Sequence, residues 1–139
     1  DPEADVQAAA ADCLGGLKLV AAFDDLQQLY QSTSEWIVKL SVIAALGELG
    51  EPRGFEMLKQ ALSEENDLVK TAAISSMGEL GNSEAVSVLT PYATNSDWQI
   101  RYRVAQALNR LGTPAAKSVL ENLANDQVEA VAEEAKKSS

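Results

Sequence analysis

Residues 36–50 of the chain, WIVKLSVIAALGELG, recur as DLVKTAAISSMGELG at residues 67–81 and as WQIRYRVAQALNRLG at residues 98–112. Each of the three segments ends in a glycine, and successive glycines are 31 residues apart. A fixed spacing of this size is typical of proteins built from tandem structural units. The repeat therefore decides the fold, and the remaining sequence is interpreted around it.

Each of these segments predicts an amphipathic helix, which we call a valine-led helix after Val38, Val69 and Ile100 near its start. Apolar or small residues recur 4, 7, 8 and 11 positions after that residue, and this spacing places them on one face of an α-helix. The closing glycine suits a helix end, because it adopts positive φ without steric cost. We predict the N-caps to be Ser34, Asn66 and Asp97.

A second helix is predicted after each valine-led segment, near residues 21–31, 53–62, 83–93 and 114–124. Pro91 is expected to kink the third of these, because proline lacks the N–H that a helix interior requires. One helix pair cannot bury its apolar stripe alone, so neighbouring pairs must stack. We predict an all-α fold, an α-α superhelix with four helix pairs plus a terminal helix.

The repeats divide the chain into one domain spanning residues 1–139. Its predicted units cover about 1–32, 33–63, 64–94 and 95–123, with a partial copy at 124–139 in which Val128 takes the valine position. The first copy begins with Asp1-Pro2, directly at a repeat junction. We therefore expect the domain to belong to a slightly longer protein with further repeats before Asp1.

The 31-residue pattern resembles the HEAT repeat, and specifically the phycobilisome-lyase subtype, D-P-x-x-x-V-R-x-x-A-A-x-A-L-G-x-L-G. Asp1-Pro2 with Val6 and the three glycine-ended segments match it, and the resemblance covers nearly the whole chain. In this alignment, the aspartate five positions before the valine is kept only as Asp1. We therefore do not expect the Asp–Arg ladder that many HEAT proteins have between repeats.

Within this subtype, the segments at residues 15–19, 24–26 and 32–36 (GGLKL, DDL and STSEW) are similar to cyanobacterial phycobilisome-degradation proteins. That resemblance implies a protein-binding adaptor, a phycobiliprotein partner and a role in degrading or maintaining the phycobilisome. Other members of the subtype are bilin lyases or isomerases, so one alternative is a subunit that handles phycobilin attachment or detachment. A second alternative is a generic HEAT adaptor for an unrelated protein.

Composition argues against several classes of function. The net charge is −10, whereas nucleic-acid binders usually carry basic patches. No apolar stretch is long enough to span a bilayer. The sequence has no histidine, which removes the commonest general base and metal ligand, and it has no phosphate loop or G-x-S-x-G motif. We expect no catalytic residues, no metal and no cofactor beyond a possible phycobilin contact.

The single cysteine, Cys13, cannot form a disulfide within the chain. Its position in the first repeat favours a small core residue over a reactive thiol, because reactivity requires exposure and a lowered pKa. A lone cysteine fits a reducing compartment, and we expect the protein to be cytoplasmic.

The resemblance implies that the valine-led helices line the concave face of the array, where a partner would bind. We predict the following partner-binding residues on that face: Lys39, Leu40, Ile43, Lys70, Ile74, Arg101, Tyr102 and Arg103. Trp36 and Trp98 are possible aromatic anchors, since aromatics are enriched at binding hot spots. The alternatives are packing against neighbouring helices for the apolar residues, and surface ion pairs for the arginines.

Overall fold

The computed structural model describes residues 22–50 and 52–137. Within these ranges every regular element is a helix, with no strand, and the helices form the predicted α-α solenoid. The elements are α1 Ala22–Ser32, α2 Trp36–Leu49, α3 Gly54–Leu62, α4 Asp67–Leu80, α5 Ala85–Leu89, a 3-10 helix Thr90–Thr94, α6 Trp98–Leu111, α7 Pro114–Leu123 and α8 Glu129–Lys136. The valine-led segment of the first repeat, Cys13 and the 15–19 segment lie outside the described residues.

The valine-led helices α2, α4 and α6 end at the predicted glycines. Gly50, Gly81 and Gly112 have φ values of 72°, 81° and 63°, in the left-handed region that residues with a Cβ rarely adopt. Each glycine N–H donates a hydrogen bond to a carbonyl of the preceding turn. These contacts satisfy carbonyls that the helix end would otherwise leave free.

The N-termini of these helices follow the predicted caps in two of three cases. The Asn66 side chain accepts from the backbone N–H groups of Leu68 and Val69, and Asp97 accepts from Gln99. The prediction for Ser34 is wrong, because α2 begins one residue later, with Glu35 at the cap position and no side-chain hydrogen bond.

In the third repeat, the helix that follows the valine-led helix differs from the prediction. Instead of one helix over 83–93, the chain forms the short α5, followed by a 3-10 helix that contains Pro91. Proline cannot donate to the carbonyl four residues earlier, and its ring crowds that carbonyl. The α-helix therefore ends before Pro91, and the tighter 3-10 turn continues the chain.

The valine-led helices form one continuous layer, in which α2 packs on α4, α4 on α6, and α6 on α8. Among the described residues, the second helices α1, α3 and α5 show no comparable packing on one another. Successive units of a curved array are closest on its inner side. The valine-led helices therefore occupy the inner side of the curve, and their exposed surface is called the inner face below.

Two glycines nine positions after the valine allow this close approach. A Cβ on Gly47 would lie 3.0 Å from the Cβ of Ser76 on α4, and a Cβ on Gly78 would lie 2.8 Å from the Cα of Ala107 on α6. Both glycines are buried. Any side chain at Gly78 would meet the backbone of the next helix, which cannot rotate away.

Ion pairs join neighbouring repeats at two of the three steps between the described valine-led helices. The expectation that no such ladder exists is therefore wrong at these two steps, of which one is an Asp–Arg pair, and it holds at the step between them. The Lys39 Nζ lies 2.9 Å from the Glu64 Oε1. The Arg101 Nε and Nη2 donate to Asp126 Oδ2 and Oδ1 at 2.7 and 3.1 Å. Each acid stands five positions before the next valine when the last copy is aligned on buried Val131 instead of Val128.

Candidate partner-binding groove

An open cavity of about 540 Å³ lies on the inner face along the start of α6, with α4 on one side and α8 on the other. We call it the Trp98 groove. Its lining residues are Leu68 and Thr71 from α4, Trp98, Gln99, Tyr102 and Arg103 from α6, and Ala130 from α8. Because three successive inner helices contribute to it, the stacking of the repeats fixes its shape.

The groove exposes large apolar side chains that a core would normally bury. Leu68 is 56% exposed and Trp98 is 41% exposed. The Trp98 and Tyr102 rings lie one helical turn apart, with centroids 6.5 Å apart at an interplanar angle of 69°, an edge-to-face arrangement that aromatic rings favour. A contiguous exposed apolar surface of this kind marks an interaction site more often than isolated apolar residues do.

Of the predicted Arg101–Tyr102–Arg103 cluster, only Tyr102 and Arg103 reach the groove. Arg101 turns toward Asp126, and its Nη1 also donates to the Asn95 carbonyl at 2.8 Å. Hydrogen bonding to Asp126 raises the pKa of Arg101, and the same contact lowers the pKa of Asp126. Arg103 is exposed, and its Nη1 donates to the Gln106 side chain at 3.2 Å.

A second, more polar hollow of about 410 Å³ follows along α6 toward its C-terminus. Its lining residues are Ser75, Gln106, Ala107, Asn109, Arg110, Glu134 and Lys137. Asn109 Nδ2 donates to the carbonyl oxygen of Glu134 at 2.7 Å. The hydrogen bond from Lys137 to the Glu134 carboxylate raises the pKa of Lys137. The two hollows together form a shallow track whose central helix is α6.

Two of the predicted contact residues are not on the surface. Ile43 and Ile74 are both 0% exposed, so their prediction as exposed partner-binding residues is wrong, and the alternative of helix packing holds for them. Each lies on an inner helix that has neighbours in the same layer as well as its own second helix. The buried arc is therefore wider than the single stripe of an ordinary amphipathic helix.

The other predicted contact residues are at least partly accessible. Trp36 is 44% exposed, and Leu40, Lys70 and Tyr102 are half-buried. Lys39 is engaged with Glu64, and its Nζ lies 5.5 Å from the centroid of the Tyr30 ring. A partner-binding role for Trp36, Leu40 and Lys70 stays a prediction.

Three residues of the groove were not predicted from the sequence: Leu68, Gln99 and Ala130. These residues stand one position before Val69, Ile100 and Val131 in successive repeats. Apart from the two tryptophans, the predicted surface began after the valine and left out the position directly before it. An apolar leucine at a position outside the buried stripe was the signal that could have identified the groove.

Two further classes of site are absent from the described part of the chain. Between residues 22–50 and 52–137, no three His, Cys, Asp or Glu side chains cluster in a way that could hold a metal ion. Among the helices in these ranges, none combines the length and the hydrophobicity that a bilayer-crossing segment needs.

A comparison with protein-family models agrees with this architecture. A family model described as HEAT repeats matches residues 1–78 and 55–138. A structure of human deoxyhypusine hydroxylase in complex with glycerol is similar at 17% identity and a TM-score of 0.46, covering 97% of this chain and 78% of that one. A comparison with curated protein sequences gives no match. Since the repeat model accounts for nearly every residue, the chain belongs to the HEAT repeat family, whose stacked helices typically mediate protein interactions.

Proposed function

We propose that this chain is a non-catalytic protein-binding scaffold that holds a phycobiliprotein in the Trp98 groove and acts in phycobilisome degradation or maintenance. The partner is inferred from the sequence resemblance to phycobilisome-degradation proteins of the non-bleaching B type. The observation that carries the binding role is the exposed Leu68–Trp98–Tyr102 surface on the inner face.

The groove has the properties of a binding hot spot. Tryptophan and tyrosine are enriched at such sites because they bring large contact areas with few rotatable bonds. Trp98 and Tyr102 stand on a regular helix, so the backbone that carries them is already ordered and loses little further entropy when a partner covers them. Arg103 at the edge adds a planar group that can pair with a carboxylate.

Purified phycocyanin is the direct probe of this proposal, with binding measured by isothermal titration calorimetry. Trp98→Ala and Tyr102→Ala should each weaken binding by about tenfold or more, which corresponds to about 1.4 kcal/mol. Far-UV circular dichroism should be unchanged, because both side chains are partly exposed. Lys117 is an exposed residue of α7, away from the groove. The Lys117→Ala variant is the matched control and should bind phycocyanin as the wild-type chain does.

Two results would contradict the proposal. The first is a wild-type chain that does not bind phycocyanin. The second is binding that survives both aromatic substitutions, which would place the contact elsewhere. Loss of helicity in Tyr102→Ala would instead identify Tyr102 as a structural residue, and Trp98→Ala would then carry the test.

A bilin lyase or isomerase subunit is the second candidate. Its support is the volume of the Trp98 groove, about 540 Å³, which lies within the range of small-molecule sites, and the position of Arg103, which suits a propionate carboxylate. Incubation of the chain with free phycocyanobilin and apo-phycocyanin separates the candidates. Covalent transfer, seen as bilin absorbance on the denatured protein, favours the lyase. Phycocyanin binding without transfer favours the scaffold, and no binding of either leaves an adaptor for an unrelated protein.

A further inference from the structure

Helix α6 exposes a line of side chains that runs through both hollows of the inner face. We call this line, formed by Trp98, Tyr102, Arg103, Gln106 and Arg110, the α6 strip. The first three line the Trp98 groove, and the last two line the polar hollow that follows it. The strip therefore changes along its length from aromatic to basic.

The two arginines of the strip are unusual in a chain of net charge −10. Arg103 and Arg110 are both exposed, and neither has a carboxylate partner among residues 22–50 and 52–137, where Arg101 on the same helix is bound to Asp126. Exposed carboxylates are instead found on the adjacent helix α8, at Glu129 and Glu133. The strip is thus a basic line with acidic residues on a neighbouring helix.

The spacing of these groups matches the repeat of a helix. Arg103 and Arg110 are seven residues apart on α6, which is two helical turns or about 10.5 Å. Two carboxylates seven residues apart on a second helix have the same separation when that helix lies along α6. An apolar residue near one end of such a helix would then reach the Trp98 groove, as in helix-in-groove recognition.

We propose that the α6 strip binds an acidic amphipathic helix of a partner protein. One large apolar side chain of that helix enters the Trp98 groove, and two carboxylates seven residues apart pair with Arg103 and Arg110. The inference rests on the proposed function, because it specifies the chemistry of the partner at the same surface. Charge complementarity decides the occupant, since a basic helix would meet two unpaired arginines.

Two fluorescein-labelled peptides of roughly 20 residues, long enough for an alanine-based helix, test the proposal. Both carry the same single phenylalanine anchor near one end. One has two glutamates seven residues apart, and the other has lysines at those positions. Fluorescence anisotropy with the full chain should give at least about tenfold tighter binding of the glutamate peptide at low salt. Raising NaCl from about 50 to 300 mM should reduce that difference.

Variants of the strip give the sharper test. Arg103→Ala and Arg110→Ala should each weaken binding of the glutamate peptide by roughly three- to tenfold, since each removes one charge pair. Neither substitution should weaken binding of the lysine peptide. Lys117→Ala removes an exposed cation from α7 and should leave both affinities unchanged. Equal affinity for the two peptides, no binding of either, or indifference to both arginine substitutions would overturn the inference.

The same variants measured with phycocyanin separate this inference from the proposed function. Phycocyanin binding that depends on Trp98 but on neither arginine would overturn the acidic-helix inference and leave the scaffold role intact. Binding of the glutamate peptide through the arginines, with no binding of phycocyanin, would support the acidic-helix inference and overturn the phycobiliprotein partner.

Discussion

The junction between α2 and α4 and the junction between α4 and α6 use the same register positions with different residues. At the first, Gly47 faces Ser76, whose hydroxyl donates to the Ile43 carbonyl at 2.8 Å, and a lysine–glutamate pair spans the repeats. At the second, Gly78 faces Ala107 with no such hydroxyl.

The second junction also lacks the ion pair. Lys70 occupies the register position of Lys39 and Arg101, but Asn95 replaces the acid, and Lys70 makes no ion pair with any residue in 22–50 or 52–137. The glycine contact is therefore common to both junctions, whereas the ion pair is not. Close packing sets the spacing of inner helices, and the charge pair adds to a geometry that already exists.

The largest expected effect comes from filling the glycine contact at the second junction. Gly78→Leu places a side chain against the Ala107 backbone, where a Cβ alone would lie 2.8 Å from the Cα. Overpacking of this kind costs about 3 kcal/mol, so urea denaturation followed by circular dichroism should show a much lower midpoint.

Gly54→Ala is the control for replacing a helical glycine. Its Cβ would lie 3.4 Å from the end of the Leu46 side chain. Any small cost of crowding there is offset by the higher helix propensity of alanine. Its stability should stay close to that of wild type. Unchanged stability in Gly78→Leu would mean that the inner helices separate easily, and the role given to the glycine contact would fail.

Removing the acid of the α6–α8 ion pair makes that junction resemble the one at Lys70. Asp126→Asn abolishes the bidentate pairing with Arg101 but keeps an acceptor for the Val128 N–H, as Asn95 does for Asp97. The free energy of unfolding should fall by about 2 kcal/mol at neutral pH, because hydrogen bonds to charged groups are the stronger ones. Equal urea midpoints for variant and wild type would show that the pair is dispensable.

Low pH should weaken the two junctions that contain an ion pair more than the junction at Lys70. Hydrogen bonds from Lys39 and Arg101 lower the pKa values of Glu64 and Asp126 in the folded chain. Their stabilisation is therefore complete above the unfolded pKa values of about 4, and is lost as the pH falls through the folded values. Melting temperatures between about pH 6 and 2 should fall less steeply in Glu64→Gln/Asp126→Asn than in wild type. Parallel curves would contradict the prediction.

The smallest expected effect is a gain. Asn95→Asp supplies Lys70 with a carboxylate at the position of Glu64 and Asp126, and the aspartate can still accept from the Asp97 N–H. A partly exposed pair of this kind contributes about 0.5 kcal/mol, which paired urea titrations at low and high salt can resolve. A gain that persists at high salt would not come from an ion pair.

The sequence predicted most of the helices and their ends, but it predicted the exposed surface less well. Gly81 and Asn66 could be predicted because each acts on its own backbone within a few residues. Ile43 could not, because its burial depends on helices from neighbouring repeats, which a single helical wheel does not represent. The Arg101–Asp126 pair was missed because the last copy was aligned on Val128, which moved Asp126 out of the position that it shares with Glu64. The Lys39–Glu64 pair was missed because only an aspartate was counted at the position that Glu64 occupies.

Asn109 stands at the position that Gly47 and Gly78 occupy in the two preceding repeats, and its amide bonds to the Glu134 carbonyl between α6 and α8. A polar group at that point makes the third step of the stack chemically different from the first two. An array whose steps differ in chemistry does not present the same groups at every repeat. A rigid partner that shifted by one unit from α6 would meet a different set of side chains, which favours a single docking register.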